Sequence, residues 1–426
     1  MSRLNRMFGK VFVGREGPRG NRKSPSRKQN RRMTMEHMEP RMMMAAPQLT
    51  ATPYSTTEMV LVWTTVPGAL DYAVDYRTIG GAWQTANPSD NSDNLTITGL
   101  LNPNTIYQFQ VGAQMTAGTK QGAGQATWSN IVTAKTGTGM ARPTATAAYS
   151  NFGTACYGGS LYGKNGPSYL DVQQGAASDC WLLASLAEVT ARDPQDITSM
   201  FSWAGTAFDP SNGANVNLYT VRLYNSKGTA EYVAVDSELP AGGATYDHPV
   251  NGVPWVALAE KAYAEANSLG YVTTLQPGKN SYAALNGGDP AWALQAITGK
   301  PASDFALNTA NLATAWGKGQ LIVLESDSKP VRTDIVANHC YAMVNYNPSV
   351  VSQGKSMPYE LFNPWGTNSA GNAPGGMLGL FYADSGVISQ NFNSQSIGSG
   401  AAPEAGIKSH LAAEAATDLV LATWGM

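Results

Sequence analysis

The chain has 426 residues, of which 43% are hydrophobic and only 14% are charged, and its formal net charge is −2. This length allows two or three domains, each with a core of its own. The sequence contains no apolar run of the roughly 18 residues that a membrane-spanning helix needs. Its three cysteines are too few for a disulfide framework. We therefore expect a multidomain globular protein whose fold does not depend on disulfides.

Residues 1–46 are basic and rich in methionine, with twelve Lys or Arg against three Glu and eight of the sixteen methionines. Such a segment buries too little apolar surface to offset its ordering entropy, so we expect a disordered tail. Its charge suits nucleic acid or an anionic membrane, although a solvated tail without a partner explains it equally well. Because the apolar segment of a secretory signal is missing, an intracellular location is expected.

Residues 47–137 change to short alternating runs separated by turn clusters. Roughly seven strands in about ninety residues are typical of an all-β sandwich. Four of these predicted strands are Met59–Trp63, Tyr72–Tyr76, Leu95–Leu100 and Tyr107–Ala113.

With Trp63 as a core tryptophan and Leu100–Tyr107 as its tyrosine corner, residues 47–137 resemble a fibronectin type III module. That resemblance implies a spacer or a surface for a protein partner. A Gly- and Thr-containing linker is expected over residues 138–149. We predict the chemistry in residues 150–396, and a second linker with a helical extension in residues 397–426.

Cys180 lies at the start of a predicted helix, because apolar residues recur at helical spacing after it until Asp193 and Pro194. A helix N-terminus stabilises a thiolate, and Asp179 is the predicted N-cap. Gln174, six residues earlier, can donate its side-chain amide to an oxyanion. An isolated cysteine beside apolar residues is more often a core residue. The spacing to Gln174 favours a catalytic nucleophile.

A cysteine nucleophile needs a histidine base, and the chain has four histidines. His37 lies in the basic tail, His410 in the C-terminal extension and His248 in a turn-like segment. His339 lies in the strand-like run Ile335–Asn345, which can hold an imidazole on one face. His339 is therefore the predicted base.

Asn363 follows His339 by twenty-four residues, at the end of a predicted strand in the run Tyr359–Gly366. A neutral asparagine can accept the ring N–H without adding a negative charge beside a thiolate–imidazolium pair. Trp365 is placed to cover that hydrogen bond. Asn363 is therefore the predicted third member of a triad.

The order Cys, His, Asn resembles the calpain family of cysteine proteases, as do the wordings Gln-Gly-Ala-Ala-Ser-Asp-Cys-Trp and Asn-Pro-Trp-Gly around Cys180 and Asn363. The resemblance extends over residues 152–394. Three intervening segments are also similar to calpain segments, namely Glu231–Pro240, Trp255–Ala264 and Gly287–Gly299.

This resemblance implies an α+β papain-like core of two subdomains, a helical one bearing Cys180 and a β-rich one bearing His339 and Asn363. It implies an endopeptidase that hydrolyses peptide bonds of protein substrates with this triad, with Gln174 as oxyanion donor. No cofactor takes part in such chemistry. Two other readings stay open: a catalytically silent scaffold, and acyl transfer such as transglutamination on the same residues.

Calpain cores typically bind Ca²⁺ through acidic loops. Asp171 keeps the position of one ligand, whereas residues 367–382 contain no Asp or Glu. Because a calcium site needs several oxygen ligands including carboxylates, we expect at most one weak site, at Asp171.

Two positions differ from the calpain wording, since Ser178 and Asn338 stand where glycines are usual. The first is tolerable if the backbone there does not need a positive φ. Cys340 follows His339 on the predicted strand and is expected to be buried and to point to the opposite face. Neither Cys340 nor Cys156 receives a role.

Overall fold

In the computed structural model of the chain, the structure describes residues 46–400 apart from residues 55–56, 87–91, 116–125, 137–141, 152–159, 210–213, 242–244, 248, 250–251 and 368–378. The expectations for the basic tail and the helical extension fall outside these residues. So do the predictions that concern His37, His248, His410 and Cys156.

Residues 49–135 form two antiparallel sheets around one apolar core, which confirms the predicted all-β region. The strand orders are β1-β2-β5 and β4-β3-β6-β7, and β8 also pairs with β6. Trp63 and Phe109 are fully buried in this core. The first sheet contains β1 (Leu49–Pro53), β2 (Met59–Trp63) and β5 (Asn94–Ile97), and the second contains β3 (Asp71–Thr78), β4 (Gln84–Thr85), β6 (Ile106–Gln114), β7 (Ala126–Trp128) and β8 (Val132–Lys135).

The predicted tyrosine corner is present at the start of β6. The hydroxyl of Tyr107 accepts the backbone N–H of Asn102 at 2.9 Å, which is the contact that ties such a corner to the preceding loop. The predicted strand Leu95–Leu100 is shorter than expected and ends at Ile97. Gly99 adopts a φ of 65°, which turns the chain out of the sheet.

The segment predicted as a linker is joined to the region behind it. Tyr149 begins strand β9 (Tyr149–Asn151), which pairs with β13 (Glu238–Pro240). Arg142 forms ion pairs with Asp209, Asp236 and Glu238. These contacts anchor the start of the second region.

The second region begins with helices that pack around one large apolar core. Helix α1 is buried on nearly all sides from Trp181 to Thr190. This explains why its apolar residues are not confined to one face of the helix. The helices are α1 (Cys180–Arg192), α2 (Pro194–Thr198), α3 (Trp255–Ser268) and α4 (Pro290–Thr298), and the strands are β9 (Tyr149–Asn151), β10 (Phe201–Asp209), β11 (Ala214–Tyr224), β12 (Ala230–Asp236) and β13 (Glu238–Pro240).

A six-stranded antiparallel sheet follows, with the order β14-β21-β15-β16-β19-β20. Its two faces are buried in different cores. Cys340, Ala342 and Val344 lie in the core of α1, whereas Tyr341 and Met343 lie in a second core. The elements are β14 (Ala302–Ala306), α5 (Thr309–Gly317), β15 (Leu321–Ser326), β16 (Cys340–Tyr346), β17 (Val351–Ser352), β18 (Lys355–Ser356), β19 (Tyr359–Phe362), β20 (Leu380–Ala383), α6 (Ser385–Asn391) and β21 (Phe392–Gly398).

The N-terminal sandwich packs against the sheet β10-β11-β12. Val60 and Val62 of the sandwich share an apolar cluster with Val216 and Leu218. The hydroxyl of Thr96 also donates to the carbonyl of Ala204 at 2.8 Å. In the part of the chain that the structure describes, no helix is long and apolar enough to cross a membrane.

Candidate active site

Cys180 is the first residue of α1 and is partly exposed at the helix N-terminus. The free N–H groups and the macrodipole of a helix start favour an anion there. Asp179 occupies the N-cap position as predicted, but its fully buried side chain does not cap the helix. The predicted helix and the position of Cys180 at its start are therefore confirmed. The prediction that the Asp179 side chain caps the helix is wrong.

His339 and Asn363 lie side by side at the ends of two paired strands, β16 and β19. The imidazole Nε2 lies 2.9 Å from Oδ1 of Asn363. The same oxygen accepts the backbone N–H of Trp365 at 3.0 Å. An atom that accepts this N–H is an oxygen, so the histidine Nε2 is the donor.

Two further contacts hold the histidine in place. The hydroxyl oxygen of Ser326 accepts the backbone N–H of His339 at 2.9 Å, and the backbone N–H of Ser326 donates to the carbonyl of His339 at 2.9 Å. The rings of His339 and Trp365 are 5.0 Å apart between centroids. The imidazole is thus buried, oriented and shielded by an aromatic ring, as the sequence predicts for Trp365.

The side chains of Cys340 and His339 lower the pKa of the Cys180 thiol to about 4. The largest cause is the hydrogen bond from the Cys340 side chain, and the hydrogen bond and charge of His339 add to it against the effect of burial. At neutral pH Cys180 is therefore a thiolate, the form that acts as a nucleophile.

Cys340 is buried as expected, and the prediction that it points to the face opposite His339 is confirmed. Its side chain lies in the apolar core of α1 with Ala342, whereas Tyr341 lies in the second core. The rings of His339 and Tyr341 are 5.2 Å apart between centroids, so the histidine lies on the side of Tyr341.

Gln174 lies beside this group and is held by the turn that carries Asn363. Its backbone N–H donates to the carbonyl of Pro364 at 2.8 Å. Its side-chain Nε2 donates to the carbonyl of Ala177 at 2.7 Å and to Oδ1 of Asp179 at 3.1 Å. Both amide hydrogens have acceptors within the loop, so one of them must be released before the amide can bind an oxyanion. The predicted role of Gln174 stays a prediction.

A buried group of carboxyls behind Cys180 was not predicted. Asp179 and Glu260 share a hydrogen bond, and Oε2 of Glu260 accepts the backbone N–H of Asp247 at 2.9 Å. Burial raises the pKa of Asp179 to about 7. Burial and the charge of Asp179 raise the pKa of Glu260 well above its usual range. Glu260 is therefore the protonated partner, which donates to Asp179.

The sequence does carry one signal for this group. Glu260 and Lys261 interrupt the apolar helix Trp255–Ser268, and both are buried. A charged residue in an entirely buried helix needs a partner. Ser326, which holds the histidine backbone, has no comparable signal in the sequence.

Trp181, next to the nucleophile, is fully buried and fixed by its neighbours. Its indole N–H donates to the carbonyl of Leu285 at 2.8 Å. A Cβ on Gly288 would lie 2.3 Å from the indole ring. The backbone N–H of Gly287 donates to the carbonyl of Ser178 at 2.7 Å. The two glycines therefore bring their loop directly against the start of α1.

The departures at Ser178 and Asn338 have different consequences for the backbone. Asn338 has a φ of 50°, a conformation that favours glycine and that asparagine tolerates better than most residues. Ser178 is not among the described residues with positive φ. The serine is therefore accommodated without strain.

Asp171 does not resemble an open calcium ligand. Its Oδ2 accepts the backbone N–H of Ser168 at 2.8 Å and the indole N–H of Trp255 at 2.7 Å. Among the described residues, no group of three or more His, Cys, Asp or Glu side chains is arranged to hold a metal ion. The arrangement gives the calcium expectation no support, and we derive no step through a metal.

Comparison with known proteins gives matches across the region of this site. The family described as calpain family cysteine protease matches residues 153–372. Calpain-13 of Rattus norvegicus is 27% identical over 217 residues, which cover 47% of this chain and 30% of the relative. The calpain-1 catalytic subunit of Homo sapiens is 29% identical over 223 residues, which cover 47% of this chain and 28% of the relative. This chain therefore matches less than a third of the length of these relatives.

Similar solved structures match a smaller part of the chain. The FN5 domain of Drosophila Lar is 26% identical, with a TM-score of 0.19, and covers 22% of this chain and 99% of its own. The fn3 domain of human contactin 1 is 21% identical, with a TM-score of 0.19, and covers 24% of this chain and 83% of its own.

Proposed function

The chain belongs to the calpain family of cysteine proteases, and on that premise we propose that it is an endopeptidase that hydrolyses peptide bonds of protein substrates. The triad is Cys180, His339 and Asn363. The observation that carries this proposal is the convergence of these side chains, with a thiol whose pKa is lowered to about 4 beside an oriented histidine. A thiolate beside an imidazolium is the activated state of such an enzyme.

The acylation step follows from this arrangement. The Cys180 thiolate attacks the peptide carbonyl carbon, and the electron pair of the C=O bond moves to the oxygen. The backbone N–H of Cys180 and the amide of Gln174 bind the oxyanion. Loss of one such donor typically costs about 3 kcal/mol in the transition state. His339 then donates its proton to the leaving amine as the C–N bond breaks, which leaves a thioester on Cys180.

Deacylation uses the same groups in reverse. Neutral His339 takes a proton from water, the water oxygen attacks the thioester carbonyl, and the Cys180 thiolate leaves. Asn363 accepts the Nε2–H throughout, so the other ring nitrogen stays directed at the sulfur. The histidine thus returns to the imidazolium form that pairs with the thiolate.

The layout that we propose has two subdomains, with the substrate cleft between them. Cys180 belongs to the helical subdomain, and His339 and Asn363 belong to the six-stranded sheet. The proposed boundaries are residues 150–396 for the protease core and 47–137 for the fibronectin type III-like module. Thr96 of the module donates to the carbonyl of Ala204 in the protease core, and the module also packs against Val216 of that core. These contacts support a role of the module as a fixed spacer or a substrate-presenting surface.

A mechanism-based thiol probe tests the proposal. We expect an epoxide or vinyl-sulfone peptide to add covalently to Cys180 in the wild type, as detected by peptide mapping. Cys180→Ala should not react, and His339→Ala should react far more slowly because the thiolate loses its partner. Wild-type protein that resists labelling would support the silent scaffold instead. Incorporation of an amine into casein without peptide release would support acyl transfer.

A further inference from the structure

Asn286 follows a short 3₁₀ helix, Tyr282–Leu285, in a segment that runs directly past the start of α1. Its side-chain Oδ1 accepts the backbone N–H of Ser178 at 3.0 Å. We propose that Asn286 is a positioning residue, which acts through the peptide group between Ala177 and Ser178 to hold the Gln174 amide in place for the oxyanion. This role rests on the proposed function, because Gln174 is its oxyanion donor.

One peptide group joins the two side-chain amides. Its C=O belongs to Ala177 and accepts Nε2 of Gln174 at 2.7 Å, and its N–H belongs to Ser178 and donates to Oδ1 of Asn286 at 3.0 Å. A peptide group is planar, so a contact that fixes the N–H also fixes the direction of the C=O. Hydrogen bonds in such a chain also polarise one another and become stronger. Asn286 therefore orients the acceptor to which the Gln174 amide is bound.

The two acceptors of the Gln174 amide are held differently. The contact of Nε2 with the Ala177 carbonyl is 2.7 Å long, whereas its contact with Oδ1 of Asp179 is 3.1 Å long. Residue 177 is anchored on its other side too, because its N–H donates to the carbonyl of Thr245 at 2.7 Å. The hydrogen directed at Asp179 is therefore the one that turns to the oxyanion, and the hydrogen on the Ala177 carbonyl remains bound as a pivot.

Asn286 is itself held by the backbone on both sides. The carbonyl of Leu285 accepts the indole N–H of Trp181 at 2.8 Å, and the N–H of Gly287 donates to the carbonyl of Ser178 at 2.7 Å. The side chain of Asn286 thus reaches Ser178 from a segment that is already fixed against the start of α1. A supporting residue that is fixed in this way can keep an active-site group within the narrow range of positions that catalysis requires.

The side chain of Asn286 is not needed to hold the two segments together. Asn286 and Ser178 are both exposed, so substitution of Asn286 leaves no buried cavity. The contacts made by Leu285 and Gly287 use backbone groups, which remain after the substitution. We therefore expect loss of the Asn286 side chain to release one peptide group and to leave the surrounding packing intact.

Steady-state kinetics on a peptide substrate test the role of Asn286 in the reaction. We expect Asn286→Ala to lower kcat by about two- to tenfold, the effect of one hydrogen bond between neutral groups, with little change in KM. Asn286→Asp keeps an oxygen at the same position and should recover most of kcat. In a Gln174→Ala background, Asn286→Ala should cause no further decrease, because the group that it positions is gone. An equal decrease in both backgrounds, or no decrease in Asn286→Ala, would overturn the proposal.

A second measurement requires no hydrolysis. The side-chain amide signals of Gln174 in an ¹⁵N spectrum can be assigned from their absence in Gln174→Ala. We expect their hydrogens to exchange with solvent about two- to tenfold faster in Asn286→Ala than in the wild type, and at close to the wild-type rate in Asn286→Asp. Asn130→Ala, the same change at an exposed position of the sandwich, is the matched control and should leave the exchange unchanged.

The two measurements distinguish failure of this inference from failure of the proposed function. Wild-type protein that releases no peptide would contradict the endopeptidase, whereas the exchange of the Gln174 amide would still report the contact through Ser178. Exchange that is the same in Asn286→Ala as in the wild type would show that Asn286 does not hold the amide, whatever the activity of the chain.

Discussion

The side-chain oxygen of Asn363 binds two groups at once, the Nε2–H of His339 at 2.9 Å and the backbone N–H of Trp365 at 3.0 Å. The second contact fixes which atom of the amide faces the histidine. The first fixes the tautomer and directs the other ring nitrogen toward Cys180. Asn363 therefore controls the geometry of the base without touching the substrate.

Asn363→Ala should lower kcat by about 10²-fold or more, since a misoriented histidine loses much of its contribution as acid and base. KM should change little, because the amide oxygen binds the histidine and the turn rather than the substrate. Steady-state kinetics on a peptide substrate check this. Asn130→Ala, at an exposed position of the sandwich, is the matched control. Equal loss of kcat in both variants would contradict the assignment.

The decrease of kcat/KM at acidic pH should follow protonation of the Cys180 thiolate. The pKa of Cys180 is lowered to about 4, so the nucleophile is ionised above that pH and activity falls as pH decreases through it. In Cys340→Ala the largest cause of the lowering is removed. A hydrogen bond to a charged group contributes about 1.5–3 kcal/mol, or about one to two pH units, so the limb should move upward.

Cys340→Ser, which keeps a hydrogen-bond donor, should give a smaller shift than Cys340→Ala. The ultraviolet absorbance of the thiolate, titrated against pH in the same variants, separates ionisation of Cys180 from other effects on rate. An unchanged limb and titration in Cys340→Ala would show that this hydrogen bond does not stabilise the thiolate.

Gln174→Ala should lower kcat by about 10²–10³-fold with little change in KM, which is the usual effect of removing an oxyanion donor. The amide donates to Ala177 and Asp179 in the resting structure, so the variant also tests whether one hydrogen is released during the reaction. Labelling of Cys180 by iodoacetamide, which forms no oxyanion, should be affected much less. Full activity of Gln174→Ala would contradict the role of Gln174 and would assign oxyanion binding to backbone N–H groups alone.

Gly288→Ala should lower both the thermal stability of the protein and its kcat, since the new Cβ would lie 2.3 Å from the indole of Trp181. Overpacking of this kind typically costs about 1–3 kcal/mol, and Trp181 is fully buried with its indole N–H bound to the carbonyl of Leu285. Gly317→Ala is the matched control, because a Cβ there meets nothing within 4 Å. Thermal unfolding of both variants gives the comparison, and equal stability would contradict the packing argument.

Glu188 should make the fold less stable as pH rises. It is fully buried, and burial raises its pKa to about 8 despite the charge of Arg192. The folded chain therefore binds a proton that the unfolded chain releases near pH 4.5, so this contribution is present at low pH and declines as pH rises toward 8. Each pKa unit corresponds to about 1.4 kcal/mol.

Glu188→Gln keeps an oxygen for the backbone N–H of Ile322, which Glu188 binds at 2.9 Å. The free energy of unfolding of this variant, measured in urea between about pH 5 and 8, should depend less on pH than that of the wild type. Glu231→Gln, on the partly exposed face of β12, is the control. If the pH dependence of the free energy of unfolding is the same in Glu188→Gln as in the wild type, the raised pKa of Glu188 is contradicted.

The sequence was sufficient for the elements whose pattern is local. The strand Met59–Trp63 is observed with the predicted bounds. Helix α1 begins at Cys180 and ends before Asp193, because an apolar run between a helix start and a proline leaves few alternatives. The pairing of His339 with Asn363 followed from their order and from the turn after Asn363.

Features that depend on contacts between distant segments were not accessible in this way. The pKa of Cys180 depends on Cys340, which lies 160 residues later in the chain. The partner of Asp179 is Glu260, eighty-one residues away, and no local pattern joins them. Residues this far apart in the sequence come together only in the fold, so the groups that set the pKa values around Cys180 could not be predicted from the sequence.

Digestion of casein by the wild type and by Cys180→Ala, each with Ca²⁺ and with EGTA, tests whether the chain is a cysteine endopeptidase. We expect that the wild type releases peptides and that Cys180→Ala releases none in either condition. Activity in EGTA would fit the occupied carboxylate of Asp171, and activity only with Ca²⁺ would place a metal site outside the described residues. Peptide release that persists in Cys180→Ala, or none from wild-type protein that the thiol probe also fails to label, would contradict the assignment of a cysteine endopeptidase.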